Sequence, residues 1–286
     1  MSNEEQKLFG LAGWPLGHSF SPLMHKAALQ ESGINGKYQL FAVPPLPEGK
    51  KDLLALLEKV RMGAIQGLNI TIPHKQNVLN LVDKLTTGAK YIGAVNTVYC
   101  RDQKLIGDNT DHTGFMIDLS NKLIIEPKHK YVLVMGAGGS SRAVCYALLN
   151  NGWQVDISSR RLSQTEELVH YFKQKHFDTV HLRDFNFVNL SRNDYSLIVN
   201  TTPVGMVPNY EESIWPQDIE FPTGCMIYDL VYNPIETMLV RNARKQGLKA
   251  ETGLGMLVEQ AALSFEIWTS KPASRNAMFS VIEDKT

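Results

Sequence analysis

Tyr131-Val132-Leu133-Val134-Met135-Gly136-Ala137-Gly138-Gly139-Ser140-Ser141 decides the fold. Its first five residues are a short apolar run of the kind that forms a buried parallel strand, and it leads straight into glycine. Beyond the loop, Ala143, Val144, Ala147 and Leu148 recur at helical spacing until Gly152 supplies a stop. Strand, glycine turn and helix start place free backbone amides where a phosphate can sit, so Gly136, Ala137, Gly138, Gly139 and Ser140 form a candidate dinucleotide cradle. Ser141 stands where a third small glycine or alanine is usual, and a ligand-free glycine turn is the plainer alternative. About 20 residues past such a loop, an NAD site carries an acid for the ribose 2′-hydroxyl. Here the strand Val155 to Ser158 ends instead in Ser159-Arg160-Arg161. Guanidinium forks suit a 2′-phosphate that an acid would repel, which favours NADP(H) as cofactor; a solvated charge pair on a loop is the competing account.

Working outward, Ser163 and Glu166 stand at capping-box spacing before a further helix. Ser196 to Val199 and Met226 to Val231 read as strands whose carboxyl ends carry Asn200-Thr201-Thr202-Pro203 and Tyr232-Asn233-Pro234. In open parallel sheets, ligands bind beyond those ends. Upstream, Leu8 to Gly13 reads as a strand, followed by Ser21 as a helix cap with Pro22 at the first helical position. A helix from about Lys51 to Met62 ends at Gly63. Leu68, Ile70 and Ile72 alternate with Asn69 and Thr71, the period of a half-buried strand with Asn69 and Thr71 on one face. Pro73 favours a new helix and places Lys75 in its first turn. Ala94 to Cys100 and Lys104 to Ile106 resemble a hairpin, with a helix starting near Asp111, and a last helix runs from about Met256 to Trp268.

Lys75 and Asp111 are the chemistry-bearing pair. Reduction of a ketone leaves an alkoxide, and an ammonium held by a carboxylate can protonate it and be recharged. Either residue alone is explained as a solvent-facing lysine or a helix cap. Ser19 and Ser21 are candidates to bind a substrate carboxylate, though a cap accounts for Ser21 as well.

The 286 residues suit two domains better than one. Hydrophobic content of 43% with 29 basic against 29 acidic residues describes a globular chain without a net field, which argues against a nucleic-acid partner. Cys100, Cys145 and Cys225 lie far apart and suggest reduced thiols in a cytoplasm rather than disulfides or zinc. Met1 to Lys7 has no apolar export segment, and no run of about 18 apolar residues reads as a membrane span. No histidine spacing points to a metal.

Taken in order, the segments His18-Ser19-Phe20-Ser21-Pro22, Asn69 to Lys75, Ala94-Val95-Asn96-Thr97, Gly107-Asp108-Asn109-Thr110-Asp111, the glycine loop, Asn200 to Met206 and Gly253-Leu254-Gly255-Met256-Leu257 resemble the shikimate dehydrogenase family over nearly the full length. The resemblance implies an α/β protein of two domains with a cleft between them. A substrate-binding catalytic domain would take residues 1–110 with 253–286, and a Rossmann-like NADP-binding domain 111–252. It implies reversible reduction of 3-dehydroshikimate to shikimate with NADPH in chorismate and aromatic amino-acid biosynthesis, with Lys75 and Asp111 as the catalytic pair. Ser19, Ser21, Thr71, Asn96, Gln260 and Tyr232 would join them around the substrate. Thr201, Met206, Leu230 and Gly253 would join the glycine loop and Ser159, Arg160 and Arg161 around the cofactor. The partner implied is a small molecule, with a homodimer as the protein association entertained. One departure stands out: members that use NADP often show Asn-Arg-Thr with a further arginine, whereas Gln164 occupies that place here. A quinate/shikimate dehydrogenase using NAD or NADP and a catalytically silent nucleotide-binding regulator are the competing readings.

Overall fold

Six parallel strands form the sheet that the glycine loop introduces, in the computed structural model that describes residues 6–17, 19–122 and 130–283. His18 and the leading Met1–Glu5 lie outside these residues. The strands are β7 (Tyr131–Met135), β8 (Gln154–Ser158), β9 (Val180–Leu182), β10 (Leu197–Asn200), β11 (Met226–Asp229) and β12 (Ala250–Thr252), in the order β12-β11-β10-β7-β8-β9. Counted from β7, that is the doubly wound order, which reverses direction between β7 and β10 and leaves its ligand crevice at their carboxyl ends. Helices α5 (Gly139–Asn150), α6 (Leu162–Gln174), α7 (Phe187–Leu190) and α8 (Met238–Lys245) make the connections. Strands buried on both faces need continuous apolar runs, and Val132 to Met135 and Leu197 to Val199 are each fully buried.

The other sheet is mixed. Its strands are β1 (Lys7–Gly13), β2 (Gly36–Ala42), β3 (Gly67–Ile70), β4 (Lys84–Leu85), β5 (Thr97–Arg101) and β6 (Lys104–Asp108), ordered β2-β1-β3-β5-β6-β4. Helices α1 (Ser21–Glu31), α2 (Lys50–Arg61), α3 (Thr87–Ile92) and the start of α4 (Asp111–Lys122) belong to it, with the later part of α9 (Leu254–Thr269) and α10 (Arg275–Glu283). Leu53, Leu56, Leu57 and Val60 of α2 pack with Leu68, Ile70, Val98 and Leu105 of the sheet, while α10 packs against α1. β5 and β6 form the hairpin, closed by Asp102 and Gln103 at φ 51° and 59°.

The chain divides into two compact units, 1–114 with 258–286, and 115–257. The divide falls inside α4 and α9, a few residues beyond the boundaries expected at 110 and 252. Among the described residues, no helix is long and apolar enough to cross a membrane.

Five local expectations are corrected. The helix at Met256 to Trp268 is not the last, since α10 follows it. β3 is not half-buried: all four residues are buried, because α2 packs with Leu68 and Ile70 while α9 covers Gly67 and Asn69, and the amide of Asn69 is satisfied internally. Thr71 lies past its end. Pro73 opens no α-helix; residues 71–76 form turns that lead into a 3-10 segment, Asn77–Asn80, so Lys75 sits on a turn. Ser21 is the first residue of α1 rather than its cap, and its backbone N–H is taken by Ser19 Oγ at 3.3 Å. The Ser163–Glu166 capping box does not form, since α6 already starts at Leu162 with Arg161 in the cap position and no side-chain cap bond.

Candidate active site

Strand direction gathers the predicted substrate residues of the mixed sheet at one edge. β1 and β3 run parallel, so Ser19 and Ser21 after β1 and Thr71 and Lys75 after β3 follow carboxyl ends on the same side. β5 runs antiparallel to β3, so Asn96, just before it, returns to that edge; β6 reverses again and delivers Asp111 there. Two backbone bonds hold the joints: Thr71 N–H donates to Ala12 O at 2.9 Å, and Val95 N–H donates to Lys75 O at 2.7 Å.

At the centre Lys75 Nζ donates to Asp111 Oδ2 at 2.6 Å. Both side chains are largely buried, at 13% and 6% exposure, so this ion pair is much less screened than a surface one. Asp111 is the first residue of α4, where the helix dipole favours a carboxylate. Its N–H is taken by Asn109 Oδ1 at 3.1 Å, and Asn109 is itself anchored by Nδ2 to Ala94 O. Asn96 Nδ2 donates to Asp111 Oδ1 at 2.8 Å and lies 3.4 Å from Gln260 Oε1 on α9. A Cβ on Gly114 would stand 2.7 Å from Gln260 N, so glycine lets α4 approach α9 at the level of this residue.

Around the pair lies a buried hydroxyl cluster that sequence reasoning did not single out, although two of its members stand in the quoted motifs. Thr97, Thr110 and Ser264 interlink, with Thr97 Oγ1 and Ser264 Oγ 2.8 Å apart and Thr110 Oγ1 donating to Gln260 O at 2.9 Å. Thr97 and Thr110 adjoin Asn96 and Asp111 in sequence, and Ser264 follows Gln260 by four residues on the same helical face. Those offsets were the available signal. Asn69, expected on an open strand face, is part of this cluster instead, bonded to Tyr38, Asn96, Thr97 and Ser264.

Of the predicted substrate residues, only Tyr232 belongs to the unit built on the parallel sheet, and burial raises its phenol pKa. That unit carries every predicted cofactor residue, all at carboxyl ends of strands. Gly136 has φ +115°, and a Cβ there would come within 2.5 Å of Thr201 Oγ1. Its carbonyl accepts the hydroxyl of Ser141 at 2.7 Å, which accounts for serine in place of the usual small residue. Gly138 occupies the cap position of α5 without a side-chain cap bond, and a Cβ on it would meet nothing within 4 Å. The turn at the start of α5 is therefore open at Gly138, flanked by Ala137 and Ser140, with no acid in the first turn. Thr201 is tied by N–H and Oγ1 to Met135 O, and Gly253 lies so close to Leu230 that a Cβ would stand 2.4 Å from its carbonyl. Ser159 Oγ pairs with Thr165 Oγ1 at 2.7 Å and holds the turn bearing Arg160 and Arg161. Both arginines are exposed and, among the described residues, enter no ion pair. Met206 is 39% exposed. Open amides at a helix start and two unpaired guanidinium groups fit the pyrophosphate and 2′-phosphate of NADP.

A doubly wound nucleotide unit joined to a mixed-sheet unit that carries a buried lysine–carboxylate pair defines a two-domain α/β dehydrogenase. The profile of the shikimate dehydrogenase substrate binding domain matches residues 11–98, and that of the shikimate 5'-dehydrogenase C-terminal domain matches 253–278. A shikimate dehydrogenase (NADP(+)) of Geobacillus kaustophilus is 36% identical over 97% of this chain and 98% of its own. Among solved structures, shikimate 5-dehydrogenase of Thermus thermophilus in complex with NADP(H) and shikimate is similar at TM-score 0.84 and 34% identity, covering 98% of this chain and 100% of that one. Quinate dehydrogenase of Corynebacterium glutamicum in complex with NAD follows the same fold at TM-score 0.87 and 30% identity, over 98% and 99%. The chain belongs to the shikimate dehydrogenase family.

Proposed function

We propose that this protein is an NADP-dependent shikimate dehydrogenase that interconverts 3-dehydroshikimate and shikimate, with Lys75 as the general acid and base and Asp111 as its partner. The observation that carries the proposal is the 2.6 Å Lys75–Asp111 bond, buried at the carboxyl edge of the mixed sheet beside Asn96. NADPH, when bound, supplies the hydride to the ketone carbon. Lys75 Nζ gives a proton to the carbonyl oxygen as charge develops on it, and takes that proton back in the reverse direction. Asp111 keeps the ammonium on one side of its own carboxylate, and Asn96 prevents that carboxylate from turning away. Ser19 and Ser21 would hold the substrate carboxylate at the start of α1, while Thr71, Gln260 and Tyr232 would contact ring hydroxyls. Six expected neighbours of the nicotinamide and ribose, Ser159, Arg160, Thr201, Met206, Leu230 and Gly253, all lie in the parallel-sheet unit. We place the reaction in the cytoplasm, where the three free thiols stay reduced, and take the working form as a homodimer.

Steady-state kcat/KM for shikimate and quinate, each with NADP and NAD, tests the assignment. Shikimate with NADP should exceed the other three combinations. Preference for quinate with NAD would move the protein to the other branch of the family, a reading that the likeness to quinate dehydrogenase keeps specific. Lys75→Ala should lower kcat by about 10² or more while changing KM far less, because the proton transfer belongs to the transition state. Near-normal kcat in that variant would remove Lys75 from the chemistry.

A further inference from the structure

We infer that Tyr38 is a positioning residue for the Lys75–Asp111 pair, because it sets the direction of a buried hydrogen-bond chain running from β2 to the start of α4. The inference rests on the proposed acid–base role of that pair. Tyr38 lies more than thirty residues before the nearest of the two and in a strand with no motif. Its hydroxyl donates to Asn69 Oδ1 at 2.8 Å. With the oxygen of that amide so occupied, the nitrogen must point the other way, and Asn69 Nδ2 donates to Asn96 O at 3.1 Å, Ser264 Oγ at 3.0 Å and Thr97 Oγ1 at 3.3 Å. A threonine hydroxyl that accepts from Asn69 has its proton free to give onward, and Thr97 donates to Asn96 Oδ1 at 2.9 Å. Asn96 in turn directs Nδ2 to Asp111 Oδ1 at 2.8 Å, while Lys75 occupies Oδ2. Tyr38 is the obligatory donor that orients Asn69, and Asn96 is oriented by Thr97 together with the backbone N–H of Thr110 at 2.7 Å.

A phenol suits this position because it is held as a rigid body. The Tyr38 ring stacks on the His25 imidazole at 4.2 Å and 2°, and His25 packs against Phe265 and Trp268. Ser21, the proposed carboxylate ligand, stands beside the same hydroxyl.

Removing the Tyr38 hydroxyl leaves Asn69 Oδ1 buried without this donor and loosens the amide, which then keeps its orientation only through Nδ2 and the Asn96 carbonyl. Its bond to Thr97 Oγ1 would slacken, and Asn96 Oδ1 would depend more on the Thr110 N–H bond of 2.7 Å. The carboxylate of Asp111 would lose part of its restraint, while the parallel-sheet unit would be untouched.

The test compares Tyr38→Phe, Thr97→Val, the double variant and Lys75→Ala. Each is assayed for kcat and both KM values, with NADPH stoichiometry measured by calorimetry. Tyr38→Phe is expected to lower kcat about fivefold, the scale of one unsatisfied buried hydrogen-bonding group, at unchanged KM for NADPH and full NADPH stoichiometry. Thr97→Val interrupts the same chain further along, so the double variant should be no slower than Thr97→Val alone. Normal kcat in Tyr38→Phe beside a crippled Lys75→Ala overturns the inference and leaves the acid–base reading standing. So does a double variant whose losses multiply, or a kcat loss matched by a fall in NADPH stoichiometry. Near-normal kcat in Lys75→Ala overturns both.

Discussion

At the residue scale, cofactor choice turns on the stretch between β8 and α6. An acid at the end of β8 would receive a ribose 2′-hydroxyl; this chain has Ser159 there, with its hydroxyl committed to Thr165, and then two exposed guanidinium groups. Arginine reads phosphate through paired N–H donors, so its contribution is specific to the cofactor that carries the extra phosphate. Arg160→Ala should therefore raise KM for NADP at least about tenfold while leaving KM for NAD nearly unchanged. Equal losses for both cofactors would show that the arginine acts on the shared part of the dinucleotide. Arg161 takes its place in the turn as the second cation, because Gln164, where relatives of the NADP type often place arginine, has no charge to offer. Reactivity of the cysteines is set by the same local logic. Burial pushes the Cys145 and Cys225 thiols up to about 12, so neither furnishes a thiolate near neutral pH.

At the element scale, close approach of backbone to side chain explains β3 and its neighbours. The indole of Trp268 lies flat on Gly67, so that a Cβ there would fall 2.3 Å from three ring atoms, and Phe9 stacks on the same indole at 5.5 Å. Gly67→Ala should destabilise the protein by about 1–3 kcal/mol through overpacking, read as a lower urea midpoint at unchanged slope; an unaltered midpoint would mean that α9 can shift without cost. This packing also separates what the sequence shows from what it hides. The parallel unit is legible because apolar runs such as Tyr131–Met135 end at a glycine turn, and the Lys75–Asp111 contact because both residues sit in polar segments beside strands. β2 escaped notice since its edge position gives Gly36–Ala42 a mixed pattern of exposed and half-buried residues rather than clean alternation. Asn69 was placed on an open face because period alone cannot distinguish a polar side chain turned to solvent from one satisfied by partners remote in sequence, here Tyr38 and Ser264. The capping errors at Ser21 and Ser163 share one cause: the helix start shifts by a residue or two when a neighbouring hydroxyl, Ser19 or Ser159, already serves the turn.

At the scale of the whole molecule, each unit buries a titratable side chain, and the two respond to acid in opposite directions. In the parallel unit Asp229 is fully buried and accepts from Asn200 Nδ2, Val231 N–H and the Thr237 hydroxyl. Desolvation outweighs those donors and raises its carboxyl to about 6 from 3.8. Its contribution to stability is complete below pH 3.8 and is lost as pH rises through 6. His25, in the mixed-sheet unit, is the converse. Burial lowers its imidazole to about 3 from 6.5, and among the described residues neither ring nitrogen has a hydrogen-bond partner. The Asn69 side chain beside it pulls the other way, and burial outweighs it. A histidine kept neutral by the fold stabilises fully above pH 6.5 and loses that contribution as pH falls toward 3. By pH 4.5, two units below its unfolded value, the loss is about 3 kcal/mol. Since the two units need not melt together, unfolding is best followed by calorimetry, which resolves each transition. Phenylalanine at position 25 keeps the stack on Tyr38 and forfeits no hydrogen bond, so His25→Phe should nearly match the parent at pH 7.5. Between pH 7.5 and 4.5 the parent should lose about 3 kcal/mol more than the variant, whatever Asp229 contributes, because that term is common to both and cancels. Equal losses in the two proteins would mean that His25 reaches a proton in the folded state, through an opening of α1 from the sheet that the static packing does not require.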